Sequence, residues 1–235
     1  MTTLLVPGFM ADADLWADVA AALQARAPLV HADLSQDDRI ERMAQRVLKA
    51  APPSFDLIGF SMGGYVAREI ARQAPERVRA LVLIATSARS DTPEQARRKA
   101  AAAVQLASPH QKFRGLSRAS IASSLHPARA NDEALIERIQ AMGVRLGREA
   151  FLRQVRIDRE SDLDRLSAIR CPTLVIAAAQ DRLRSLDEAT ELQAGIPGAV
   201  LQVIDGTGHM VPMEVPGPLM GVVLPWLESA ANGRP

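Results

Sequence analysis

The sequence has little of what staples or anchors a chain. Cys171 is the only cysteine among 235 residues, which excludes an intrachain disulfide, and beside Pro172 and an apolar run it reads as a buried core thiol. Charge of one sign is not in excess either. Basic residues number 28 and acidic residues 27, a net of +1, so nothing points to the basic footprint of a nucleic-acid binder. Long hydrophobic runs are missing too: stretches such as Leu81 to Ala85 and Leu174 to Ala179 fall far short of a membrane span. Met1 to Gly8 lacks the charged start and long apolar segment of a signal peptide. The expectation is a soluble, cytoplasmic protein with no nucleic-acid and no membrane partner. Aromatics make up only 3%, yet 48% of residues are apolar, too many for a disordered chain. The length fits one globular domain, or one domain carrying an insertion.

The near-zero charge hides a division. Between Arg97 and Arg170 stand 15 basic and 8 acidic residues, a net of +7, which leaves −6 for the remainder. The hydrophobic pattern divides the chain at nearly the same places. Short apolar runs recur at Thr3–Val6, Leu29–Asp33, Asp56–Phe60, Arg79–Ala85, Thr173–Ala178 and Val200–Ile204. Their residues are almost continuously Leu, Val, Ile and Ala, as in strands covered on both faces. Amphipathic segments lie between them at Leu15–Arg26, Arg39–Ala50, Gly63–Gln73, Leu186–Ala194 and Pro218–Ser229. Strand alternating with helix predicts right-handed crossovers and a parallel sheet. Ser87 to Ile169 interrupts the alternation with helical patterns alone, at Thr92–Leu106, Gly115–Ser124, Asp132–Leu146 and Ala150–Ile157. The expected organisation is a core over residues 1–86 and 170–235, with a helical insert over 87–169.

Gly59-Phe60-Ser61-Met62-Gly63 has the G-x-S-x-G form of a nucleophile elbow, and it follows a strand and opens a helix as that motif requires. A serine on so sharp a turn projects its oxygen away from the sheet, and glycines two residues to either side remove side chains that would collide. Its hydroxyl needs a base. Of the four histidines, His31 falls within an apolar strand and reads as structural, while His110 and His126 each adjoin a proline in the insert. His209 lies in Gly206-Thr207-Gly208-His209-Met210, just past a strand, and is the candidate base. An acid must hold the imidazole tautomer. Asp181 follows the strand Thr173–Ala178 and is preferred; Asp91 is the rival, and Asp205 sits too near His209 in sequence. For the developing oxyanion, two backbone N–H groups are needed, and Met62 and Phe9 are the candidates, the latter after Pro7-Gly8 at the end of the first strand.

Taken together, Pro-Gly-Phe with Trp16 downstream, Gly-Phe-Ser-Met-Gly-Gly, Ala-Gln-Asp-Arg and Gly-His-Met-Val-Pro-Met-Glu resemble the α/β-hydrolase superfamily over essentially the whole chain. The resemblance implies an α/β fold with a mainly parallel sheet flanked by helices, an inserted helical cap, and a Ser-His-Asp mechanism with neither cofactor nor metal. Ser61 as nucleophile counts against the aspartate branches, the dehalogenases and epoxide hydrolases. Three departures stand out. Pro7 replaces the family's usual histidine, the family's leading hairpin is not expected so that Leu29–Asp33 should lie at a sheet edge, and Leu34-Ser35-Gln36-Asp37-Asp38 replaces a glycine-rich loop.

Phe9, Met10, Met62 and Met210 flank the catalytic positions and are expected to line an acyl pocket. Trp16 is carried as a further substrate contact, although its apolar surroundings, like those of Trp226, read first as core. The leading expectation is hydrolysis of an ester or thioester of a small or medium acyl group through a Ser61 acyl-enzyme. The same triad serves lactone, carbon–carbon or prolyl-peptide cleavage, and a ligand-binding signalling protein can keep this fold with slow turnover. The basic insert raises a negatively charged or carrier-bound acyl substrate, with Arg145, Arg148, Arg153 and Arg156 as candidates. With 25 Arg against 3 Lys, arginine is simply this chain's usual cation, and solvated helix faces are the first reading of them. The oligomeric state is not legible.

Overall fold

The computed structural model describes residues 1–107 and 112–233. His110 lies outside them. Six strands form one sheet: β1 (Thr3–Val6), β2 (Leu29–His31), β3 (Phe55–Phe60), β4 (Val78–Ile84), β5 (Thr173–Ala178) and β6 (Val200–Ile204). The order is β2-β1-β3-β4-β5-β6 and every pairing is parallel. Every residue of β1, β3 and β5 is buried, as the continuous apolar runs require of a sheet covered on both faces. Successive side chains go to opposite sides. Leu5, Ile58, Val82 and Ile176 join one core, and Leu4, Leu57, Leu83 and Val175 join the other.

Helices α1 (Ala17–Gln24) and α9 (Pro216–Ala231) supply the first core, reached after the short α8 (Val211–Glu214). Helices α2 (Ile40–Ala50), α3 (Met62–Gln73) and α7 (Leu186–Gly195) supply the second. Helix α2 buries Met43, Ala44 and Val47 and leaves Arg and Glu outside. Truncating one fully buried leucine in such a core, Leu174 for example, costs about 2–5 kcal/mol.

Several boundaries differ from the sequence pattern for local reasons. The second strand stops at His31, because the Asp33 carboxylate accepts the Ser35 N–H at 2.8 Å and turns the chain. His31 is therefore exposed at the end of an edge strand and not a satisfied group within one. The helix expected from Leu15 begins as a 3₁₀ turn at Ala13–Trp16, capped by Asp12.

Between β4 and β5 run α4 (Pro93–Ala107), α5 (Arg118–Ser124) and α6 (Glu133–Val155), with no strand among the described residues. Helix α5 starts three residues later than expected, since Ser117 caps it and Gly115 is in a left-handed conformation (φ 75°). Helix α6 joins the two patterns around Leu146 through a break at Gly147, with φ 81° and ψ 176°. A Cβ at Gly147 would meet nothing within 4 Å, so glycine is required there by backbone angle alone. Buried ion pairs connect these parts. Arg68 of α3, with no exposed surface, donates to both oxygens of Asp162, and Arg72 joins the same carboxylate at 2.8 Å.

Candidate active site

The strand order reverses beside β1, whose neighbours are β2 on one side and β3 on the other. Chain leaving the carboxyl ends of β1 and β3 diverges there, the usual place for a crevice in an open α/β sheet. Ser61 occupies the junction of β3 and α3 with φ 52° and ψ −116°. The surroundings hold that strained backbone: Ser61 N–H donates to Ile84 O at 2.9 Å, and Thr86 Oγ1 donates to Ser61 O at 2.7 Å. A Cβ at Gly63 would lie 2.3 Å from Val6 O, so only glycine lets α3 begin against β1.

His209 and Asp181 meet Ser61 from the ends of the strands beyond. Ser61 Oγ and His209 Nε2 are 2.9 Å apart, and His209 Nδ1 and Asp181 Oδ2 are 2.7 Å apart. With the carboxylate on Nδ1, that nitrogen carries the ring proton and Nε2 is left to accept from the serine hydroxyl. The acid is itself fixed, because Asp181 Oδ1 accepts the N–H groups of Leu183 at 2.7 Å and Arg184 at 3.0 Å. The residue before it, Gln180, reaches across to the base loop and accepts from Gly206 N–H and Thr207 N–H. A hydroxyl, imidazole and carboxylate linked in this order form an arrangement suited to nucleophilic catalysis.

The rival acids are engaged elsewhere. Asp91 pairs with Lys99 at 2.6 Å and with Arg159. Burial works to raise the Asp91 pKa, but those two cations outweigh it and hold the carboxyl below its ordinary value. Asp205 accepts from Gln180 Nε2 at 2.7 Å, and this bond holds its pKa low. His126 caps the 3₁₀ turn Pro127–Arg129 through its side chain. Cys171 is a half-buried thiol that burial pushes up to about 11, far from a reactive thiolate.

The loop that carries His209 is held by further contacts. His209 N–H donates to Ser124 O at 2.7 Å. The buried Glu214 carboxylate accepts Met210 N–H at 3.1 Å and His126 N–H at 2.7 Å, tying the loop to the corner after α5. Glu214 ends the Gly-His-Met-Val-Pro-Met-Glu motif, so a signal was present. For the buried Gln154, which accepts Met10 N–H at 2.8 Å, the sequence holds no signal.

A cavity of about 790 Å³ opens beside Ser61, lined on the sheet side by Phe9, Met10, Met62, His209 and Met210. Met62 is the first residue of α3, so its N–H belongs to the set that a helix leaves without an internal partner. Phe113, Ile121 and Phe151 close the cavity from the inserted helices. The Phe151 ring meets Phe9 at 5.6 Å and Phe113 at 5.5 Å. Four of the five phenylalanines thus surround this one space, Phe60 being the fourth.

Two expectations are corrected here. Trp16 is 1% exposed and lies outside the lining, edge-on to Phe60 at 6.5 Å, because its helical turn faces the core under the cavity. Arg145, Arg148, Arg153 and Arg156 do not line the cavity either. Arg145 grips Asp12 and Asp14, Arg148 donates to Leu106 O, and Arg153 donates to Ser35 O at 3.1 Å. The cavity's cations are instead Arg98, Lys99, Lys112, Arg114, Arg159 and Arg184. Among the described residues no group of His, Cys, Asp and Glu is placed to hold a metal ion, and no helix is long and apolar enough to cross a membrane.

Residues 35–216 match the model of the alpha/beta hydrolase fold family, and the chain belongs to that family. A pimeloyl-[acyl-carrier protein] methyl ester esterase of Klebsiella pneumoniae is 38% identical over 102 residues, 38% of this chain and 40% of that enzyme's length. Monoacylglycerol lipase ABHD6 of Mus musculus is 27% identical over 97% of this chain and 76% of its own. Among solved structures, a thermophilic esterase from Thermogutta terrifontis superposes with a TM-score of 0.85 at 25% identity, over 98% of this chain and 90% of that one.

Proposed function

We propose that the protein is a serine hydrolase of carboxylic esters or thioesters with a small or medium acyl group. The observation that carries the reading is the Ser61–His209–Asp181 hydrogen-bond chain at the floor of a largely apolar cavity. Ser61 Oγ attacks the acyl carbonyl and its proton passes to His209 Nε2, while Asp181 stabilises the imidazolium. The N–H groups of Phe9 and Met62 receive the oxyanion. His209 then gives the proton to the departing alcohol or thiol, leaving an ester on Ser61. Water, deprotonated by His209, adds to that ester; collapse releases the carboxylic acid and restores the serine hydroxyl. Met10 and Met210 supply apolar contact for the acyl chain, and residues 87–169 serve as the cap over it. The names of the relatives, two esterases and a lipase, favour ester cleavage over the other chemistries open to this triad.

Within this reading the substrate carries negative charge away from the scissile bond, on the acyl group itself or on a carrier. Lys112 and Arg114 support this, since both are exposed at the cavity and neither has an ion pair or hydrogen bond among the described residues. The similarity to an esterase acting on a carrier-bound pimeloyl ester points the same way.

A panel of activated esters and thioesters, varied in acyl length and charge, tests both levels. The wild type should turn over repeatedly, and Ser61→Ala should lose at least about 10³-fold in kcat/KM. Wild-type rates in Ser61→Ala would sink the hydrolase reading, and stable ligand retention without product would favour a binding protein. Lys112→Ala/Arg114→Ala should raise KM for acidic esters alone, and the difference should fade as salt shortens the screening length below about 8 Å.

A further inference from the structure

The oxyanion turn that follows β1 is held from outside by one side chain of the inserted helices. Met10 has φ 52°, a left-handed conformation that a non-glycine residue keeps only when its surroundings over-determine it. Ala11 N–H closes the turn on Gly8 O at 3.3 Å, leaving Phe9 and Met10 at its tip. Met10 is 1% exposed, so water does not serve its N–H. Its partner is Gln154 Oε1 at 2.8 Å, from a residue 144 positions away. The other end of the same amide donates through Nε2 to Leu34 O at 3.1 Å. Gln154 is 3% exposed, and both halves of its amide are used. It reaches this place because the Gly147 break redirects the last turns of α6 towards the carboxyl end of β1.

From this geometry we infer that Gln154 is a positioning residue, which sets the direction of the Phe9 N–H by fixing the turn that carries it. The inference rests on the serine-hydrolase reading above. Remove the amide and Met10 keeps a buried donor with no acceptor, so the turn gains by relaxing to a negative φ. The Phe9 peptide plane then rotates, and its N–H no longer points where the oxyanion forms. Gln154 also borders the cavity, but both ends of its amide are taken by Met10 N–H and Leu34 O, so it acts on the oxyanion through Met10.

The test is Gln154→Met, which conserves volume and removes both hydrogen bonds. On p-nitrophenyl butyrate, kcat should fall about 10–100-fold, somewhat less than loss of a whole oxyanion donor, with KM within about threefold of wild type. A trifluoromethyl ketone reads the same hole directly. Ser61 Oγ adds to its carbonyl, the proton moves to His209 and no group leaves, so an oxyanion stays in place. Its inhibition constant should rise by the same factor as kcat/KM falls, while the matching non-fluorinated ketone binds unchanged. A rise in KM with kcat retained would make Gln154 a pocket wall and overturn the inference, as would an unchanged inhibition constant. Should the variant fail to fold, amide hydrogen exchange on the wild type decides. The Met10 N–H should exchange as slowly as those of β3, and fast exchange overturns the inference. Failure of the hydrolase reading is separate: it shows as ester turnover that survives in Ser61→Ala, and leaves the Met10 exchange result untouched.

Discussion

At the scale of single residues, the site depends on buried polar groups whose partners are backbone. Glu214 shows the magnitude. Its carboxylate is 8% exposed and takes two N–H groups, one from Met210 beside His209 and one from His126. Each buried donor left without an acceptor costs about 1–3 kcal/mol. Glu214→Ala should therefore lower unfolding stability by about 2–4 kcal/mol in a denaturant titration. Catalysis should fall as well, with kcat affected more than KM, because the His209 loop is released from the corner after α5. An unchanged melting curve would show that water replaces the carboxylate. The meeting of Ser61, Asp181 and His209 was legible because their motifs lie at neighbouring strand ends. Gln154 was not legible, since its two partners are 144 and 120 residues away and only the folded chain brings them together.

At the scale of elements, the six strands were readable almost to the residue, because a sheet buried on both faces leaves unbroken apolar runs. The errors fall where one side chain overrides the pattern, as Asp33 does in ending β2. Helix α6 is the larger case. Its periodicity reads as two helices, and the chain joins them through the left-handed Gly147. Before the break, Arg138 holds Asp14 and Asp18, and Arg145 holds Asp12 and Asp14. After it, Gln154 holds Met10. One helix thus grips the segment after β1 along its length, at an angle that Gly147 sets. Gly147→Ala should cost about 1–3 kcal/mol through backbone strain alone. Activity should fall further than the partly exposed ion pairs account for, since such pairs contribute about 0–1 kcal/mol each. A variant with wild-type stability and kcat would show that α6 tolerates a straight path.

For the molecule as a whole, the +7 and −6 portions are joined by ion pairs of both senses. Insert arginines reach core aspartates at Asp12, Asp14 and Asp18, while core Arg68 and Arg72 reach Asp162. Asp162 sets an acid limit. Burial works to raise its pKa, but Arg68 and Arg72 prevail and hold it below the ordinary carboxylate value. A depressed folded-state pKa stabilises the fold at pH above the unfolded value of about 3.9, and that contribution is lost as pH falls through the folded value. Thermal unfolding followed against pH should therefore lose stability below about pH 4. Asp162→Asn should be less stable at neutral pH, with a flatter acid limb; an equally steep limb would assign the acid sensitivity to other carboxylates.

The stack of rings under the cavity has a practical consequence. Trp16 meets Phe60, and Phe60 meets the His209 ring at 5.1 Å. In a chain with only two tryptophans and one tyrosine, replacing Trp226 with phenylalanine leaves a single indole, joined through Phe60 to the His209 ring. Its emission should change when a bound ligand shifts Phe60, the ring between it and the cavity, and an unchanged spectrum at saturation would show that the stack stays undisturbed.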